Sequence, residues 1–186
     1  MSKFAKLSVA LCLALVVGSG GRADDKKPEM PMGKPAAEHA FFKNFVGEWD
    51  TEMESFMEPG KGTKHKGTMT GKMIGDFWAC VTVNGDMDGM IYTGQGTFGF
   101  DAKKKRATGT WVDSTGDYLW TYDGKIDGKK LVLDAKGPSP MDPTKMIQFR
   151  DTWDFSTADK MVLTSEVAGP DGKMTKMMQA TCTQRK

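Results

Sequence analysis

From residue 49 to residue 57 the chain changes character at every step. Trp49, Thr51, Met53, Ser55 and Met57 share one parity, while Glu48, Asp50, Glu52 and Glu54 share the other. A period of two with acids on one side describes a half-buried β-strand, because successive side chains point to opposite faces. The acidic face belongs in water, so Trp49 and the methionines turn inward. Comparable segments follow at 65–74, 77–83, 90–100, 106–112, 118–126, 130–135, 145–155, 160–167 and 173–183. The connections between them are short and rich in Gly, Asp and Lys. Asn84-Gly85 is a strong hairpin signal, with a turn extended through Asp88-Gly89 as the alternative. The longest connection carries Pro138, Pro140 and Pro143, which exclude a central strand there. Upstream, 38–45 (EHAFFKNF) suits a short helical turn. Phe41, Phe42 and Phe45 would plug one end of the domain, and His39 is expected to be exposed.

Ten short strands, tight turns and no long helix predict an all-β fold: an antiparallel up-and-down barrel of about ten strands. Closure also removes exposed sheet edges. Gly94, Gly96 and Gly99 within one strand supply the bends that a small barrel needs. A β-sandwich is the alternative.

The first residues do not fit this pattern. Lys3 and Lys6 precede an apolar run of twelve residues, 7–18, and then the small-residue segment 19–23. That arrangement predicts a cleaved secretory signal over 1–23, shorter than the ~20 apolar residues a membrane span needs. Residues 24–37, with Pro28, Pro31 and Pro35, read as a flexible leader, and 38–186 as the barrel domain. Export to the periplasm or the exterior follows. Loss of Lys3, Lys6 and Arg22 with the signal turns the net charge from +2 to −1. A near-neutral chain has no electrostatic reason to bind nucleic acid or an anionic membrane. Cys80 and Cys182 remain, and their pairing in an oxidising compartment is left open.

Candidate chemistry is sparse. Only His39 and His65 are present, and none follows His65. This argues against a Ser-His-Asp triad and against late-histidine haem ligation of the nitrobindin type. No cofactor or zinc spacing is evident. Asp113 and Asp117 flank a turn and would serve an enzyme as a carboxylate pair, though polar turn chemistry explains them better. Fifteen methionines are many. Met53, Met57, Met69 and Met73 share inward faces of neighbouring strands, where they give a pliable apolar lining or, as the sharper alternative, a Cu(I) site. In 147–155, Asp151 shares the parity of Ile147, Phe149, Trp153 and Phe155. Either a bulge or a barrel-end position takes it out of the core, which is the simpler expectation, or it anchors a ligand in a hydrated cavity. Arg150 is then on the surface, unless a register slip makes it a carboxylate clamp.

Phe45-Val46-Gly47-Glu48-Trp49 resembles the Gly-x-Trp start of lipocalin-type barrels. Together with 99–101 (GFD), 109–114 (GTWVDS), 169–173 (GPDGK) and Met177-Met178, it is similar to a bacterial family catalogued as domain of unknown function 1579. The resemblance spans roughly 40–186 and implies a lipocalin-like barrel, but no activity. The expected function is binding of a small apolar or amphipathic ligand by Trp49, Met53, Met57, Met69, Met73, Trp111, Arg150 and Asp151. The alternatives are an enzyme using carboxylates on the same barrel, or a filled barrel acting as a structural or interaction domain.

Overall fold

Alternation, carried through ten segments, produces a closed ring. The structure, a computed structural model, describes residues 33–58 and 61–186. The predicted signal and most of the leader lie outside the described residues. A 3₁₀ helix, Ala37–Phe45, precedes β1 (Gly47–Glu58), β2 (Lys61–Ile74), β3 (Trp78–Met87), β4 (Met90–Asp101) and β5 (Arg106–Asp113). Then come β6 (Trp120–Asp127), β7 (Lys130–Pro138), β8 (Met146–Thr157), β9 (Lys160–Ala168) and β10 (Met174–Gln184). Each strand pairs antiparallel with the next, and β1 pairs with β10 from Trp49↔Gln184 to Ser55↔Met178. The barrel is the predicted one.

Two strand ends and the burial of His39 are among the departures from expectation. β3 runs straight through Asn84-Gly85, because Val81, Val83, Gly85 and Met87 keep one inward parity. The turn falls instead at Asp88 (φ 56°) and Gly89 (φ 91°), the paired positive φ of a two-residue hairpin. Pro138 is not loop but the last residue of β7, opposite Met146. His39 is buried rather than exposed. Its Nδ1 accepts a hydrogen bond from the Ala36 amide at 2.9 Å, and its ring meets Phe77 and Phe100 edge-on.

The helix closes one end of the ring. Phe42 and Phe45 are fully buried. Phe45 stacks on Phe98 at 5.3 Å between centroids and receives the edges of Trp153 and Phe155 at 5.1 and 4.9 Å. Trp49 Nε1 donates to the Phe45 carbonyl at 3.1 Å, tying the helix end to β1. The same carbonyl passes over Gly71, where a Cβ would collide with it. Glycine is required there by close approach, not by backbone conformation.

The two cysteines lie on opposite faces of the wall. Cys182 is buried in the core, while Cys80 faces outward beside Thr97, and β1 and β2 stand between their strands. Both are free thiols.

Phe45→Ala is expected to cost about 3–5 kcal/mol, by removal of the plug's main contact. Trp49→Phe should cost about 1–3 kcal/mol, because it leaves a buried carbonyl without its donor. Urea denaturation checks both. Burial pushes the Cys182 thiol up to about 12, so it should resist a disulfide reagent at neutral pH until the protein is unfolded. Cys80 should react in the folded state.

Candidate functional site

The plug fills only one end of the barrel. Beyond it lies a cavity of 420 Å³. Its floor is Phe98 and Trp153, the same rings that rest on Phe45. Trp111, Trp120, Tyr122, Phe149 and Tyr92 make an aromatic wall along β4, β5, β6 and β8. Softer groups complete the ring: Met53, Met87, Leu163, Met177 and Met178.

Glycines make room for the indoles. Trp111 lies over Gly94 and Gly96, where the nearest approach to an added Cβ on Gly96 would be 2.6 Å from Trp111 Cε3. Trp120 lies over Gly137 in the same way and meets Phe149 edge-on at 4.9 Å. Trp111 and Trp120 are direct cross-strand partners on one face, and the glycines seat the first ring against β4 and the second against β7.

The cavity holds a half-buried carboxylate, Asp151. Asp151 pairs with Leu133 on β7 and Ser165 on β9 in unbroken register, and the β8 irregularity comes later, between Asp154 and Thr157. No bulge turns Asp151 out, and it is not at the barrel end. It points into the cavity. Two hydroxyls make this tolerable: Tyr122 donates to Oδ2 at 2.8 Å, and Ser165, its cross-strand partner, donates to Oδ1. Burial raises the Asp151 pKa, and these two hydrogen bonds oppose the rise. The Tyr122 phenol is raised well above its usual value by burial and then by the charge of Asp151. Tyr92 is raised by burial and then by Asp113. Asp113 also lines the cavity, accepting from Trp111 Nε1 at 3.1 Å and from the Thr115 amide at 2.9 Å.

The residues expected to bind ligand are divided by the structure. Met53, Trp111 and Asp151 come together on the cavity. Trp49 and Met69 are buried around the plug and Met73 packs against that core, so these three do not reach the cavity. Met57 lies where no side chain is described. Arg150 is on the outer face, where its Nε and Nη2 meet Asp134 Oδ1 and Oδ2 at 2.7 and 3.3 Å, and Asp134 raises the guanidinium pKa. It is therefore not a clamp for a carboxylate ligand. The copper quartet is also separated. Met53 pairs with His65 and Met69 with Trp49, four positions along β1, which is about 13 Å of strand. Among the described residues no group of three or more His, Cys, Asp or Glu could hold a metal ion. Asp117 is exposed in the β5–β6 loop and is not part of the cavity.

Sequence reasoning missed Tyr92, Trp120, Tyr122, Phe149 and Ser165 as site residues. The parity of Tyr118, Trp120 and Tyr122 was a usable signal. Ser165 had none, because it becomes a partner only through pairing with β8. Met177 has the parity opposite to Met178, but a bulge between Lys176 and Met178 brings both to the cavity.

The crystal structure of Rv2717c from M. tuberculosis matches at a TM-score of 0.59 and 10% identity, covering 82% of this chain and 100% of that one. The S-type phycobiliprotein lyase CPES from Guillardia theta matches at a TM-score of 0.53 and 14% identity, covering 82% and 99%. At these identities the likeness concerns the fold. No curated protein matches the sequence. A family model described as "Protein of unknown function (DUF1579)" matches residues 34–184. Its span takes in the plug and all ten strands, and the chain belongs to that family.

Proposed function

We propose that this chain is an exported carrier or binding protein whose barrel holds a small apolar or amphipathic molecule. The observation that carries this reading is the 420 Å³ cavity itself, walled by aromatic and thioether side chains and holding the hydroxyl-bound carboxylate of Asp151. A barrel selected only for stability would fill that space, since interiors are close-packed and voids are destabilising. It would also have no use for Asp151. Concave, mostly apolar sites with a few convergent polar groups are the usual form of small-molecule sites. Export rests on the sequence of residues 1–23.

A second reading has one observation in its favour. The cavity surrounds two carboxylates, Asp113 and Asp151, as an enzyme with acid–base chemistry in the barrel requires. Chemical change of the recovered ligand on incubation with the protein distinguishes it.

Native mass spectrometry of the protein from its host's exported fraction should show a bound mass released on denaturation. In vitro, the neutral dye Nile red should bind saturably. Ser55→Trp, which places an indole on the cavity lining, should weaken binding by about tenfold or more. Absence of saturable binding to the wild type, or binding unchanged by Ser55→Trp, would count against the reading.

Asp151 also gives a pH signature. Its folded pKa is raised, so in the window from the ordinary carboxylate value up to the raised one the folded state holds more protons than the unfolded state. Its contribution to stability therefore falls as pH rises through that window. Asp151→Asn should flatten the decline of Tm as pH rises above the ordinary carboxylate range, relative to wild type. Identical slopes in thermal denaturation would show that the group is not held as described.

A further inference from the structure

The cavity's charges narrow what its occupant is. Among the described residues, the ionisable groups that line it are two acids, Asp113 and Asp151, and two phenols, Tyr92 and Tyr122. No lysine, arginine or histidine among the described residues faces in. The cation nearest in sequence, Arg150, is turned outward and engaged by Asp134. A ligand carboxylate would therefore meet like charge at reduced dielectric with nothing to neutralise it.

A ligand cation meets the opposite situation. Each Asp151 oxygen accepts one hydroxyl from the wall, from Tyr122 or from Ser165. A carboxylate offers about four acceptor sites, so acceptor capacity remains toward the lumen. Aromatic faces attract cations, indole most strongly, and Trp111, Trp120 and Trp153 all line this space. Asp113 adds a second acid on the same lining, which favours entry of a cation.

Resting on the carrier reading above, we infer that the cavity selects an organic ammonium: a flat, ring-containing body with a protonated amine whose N–H groups are directed to Asp151. The rings of the ligand lie along the indole wall, and the methionines close over them. The titratable groups facing Asp151 are Tyr122 from β6, Tyr92 from β4 and Asp113 from β5; β7 and β9 present Leu133 and Ser165. Both phenols stay protonated at neutral pH, so the two acids, Asp151 and Asp113, govern the pH dependence. Asp151 takes up a proton in acid, and the ammonium displaces it.

The test is calorimetric titration of the full folded protein with three probes of one shape: 1-naphthylmethylamine, 1-naphthylmethanol and 1-naphthoate. The amine should bind about tenfold or more tighter than naphthoate, with the alcohol between them. Asp151→Asn should weaken the amine by about tenfold and the alcohol by less than about threefold. Should that variant not fold, the wild-type pH profile decides: amine affinity should fall on acidification while alcohol affinity holds. Naphthoate binding as tightly as the amine, an amine preference that survives Asp151→Asn, or a flat amine profile would overturn the inference and leave the carrier reading intact. Binding of none of the three would overturn both.

Discussion

The contact between Phe45 and the rings of Phe98 and Trp153 holds the two halves of this architecture together. A ten-stranded ring is too wide for its own inward side chains to fill from end to end, so something must enter it. Here the chain supplies its own filler immediately before β1. The short helix is not an autonomous structure, since nine residues of 3₁₀ geometry are far from stable alone. It persists because burial of Phe42 and Phe45 anchors it. The Trp49 indole fixes its last carbonyl, and Gly71 leaves that carbonyl room.

The cavity is the complement of that plug. Because Phe98 and Trp153 serve as ceiling for Phe45 and floor for the cavity, the packed and open ends share a partition. The polar group in the open end is placed by register. Asp151 and Ser165 are cross-strand partners, and Tyr122 reaches them from β6. The hydroxyls reduce the penalty of burying the acid without cancelling it, which is the condition in which a site favours a partner of opposite charge.

Much of the barrel was legible because period-two alternation is local and repeats ten times. The Phe-rich plug was legible for the same reason, since three phenylalanines cluster before the first strand. What failed depended on neighbours that the sequence does not place. Asn84-Gly85 is a strong local turn signal, yet the inward parity of Val81, Val83 and Met87 overrode it. His39 looked exposed in a charged segment, but Phe77 comes from the β2–β3 turn and Phe100 from β4, both far along the chain. Asp151 had the correct parity, and the expectation of a bulge came from its burial penalty. Its hydroxyl partners lie 29 and 14 residues away, and no spacing rule announces them. The methionines were spread too widely because position along a strand, unlike facing, depends on register: Met53 belongs to the cavity and Met69 to the plug.

Gly94, Gly96 and Gly137 carry one more implication. The two indoles of the aromatic wall lie flat because three side chains are missing beneath them. None of these glycines needs to touch an occupant, yet each sets how far a ring leans into the lumen. The bore of the barrel is thus adjustable from behind its lining, one methyl at a time, with Asp151 and its hydroxyl partners left in place. A lineage of such barrels has a route to new cargo of the same chemistry and different girth, without rebuilding the groups that recognise it.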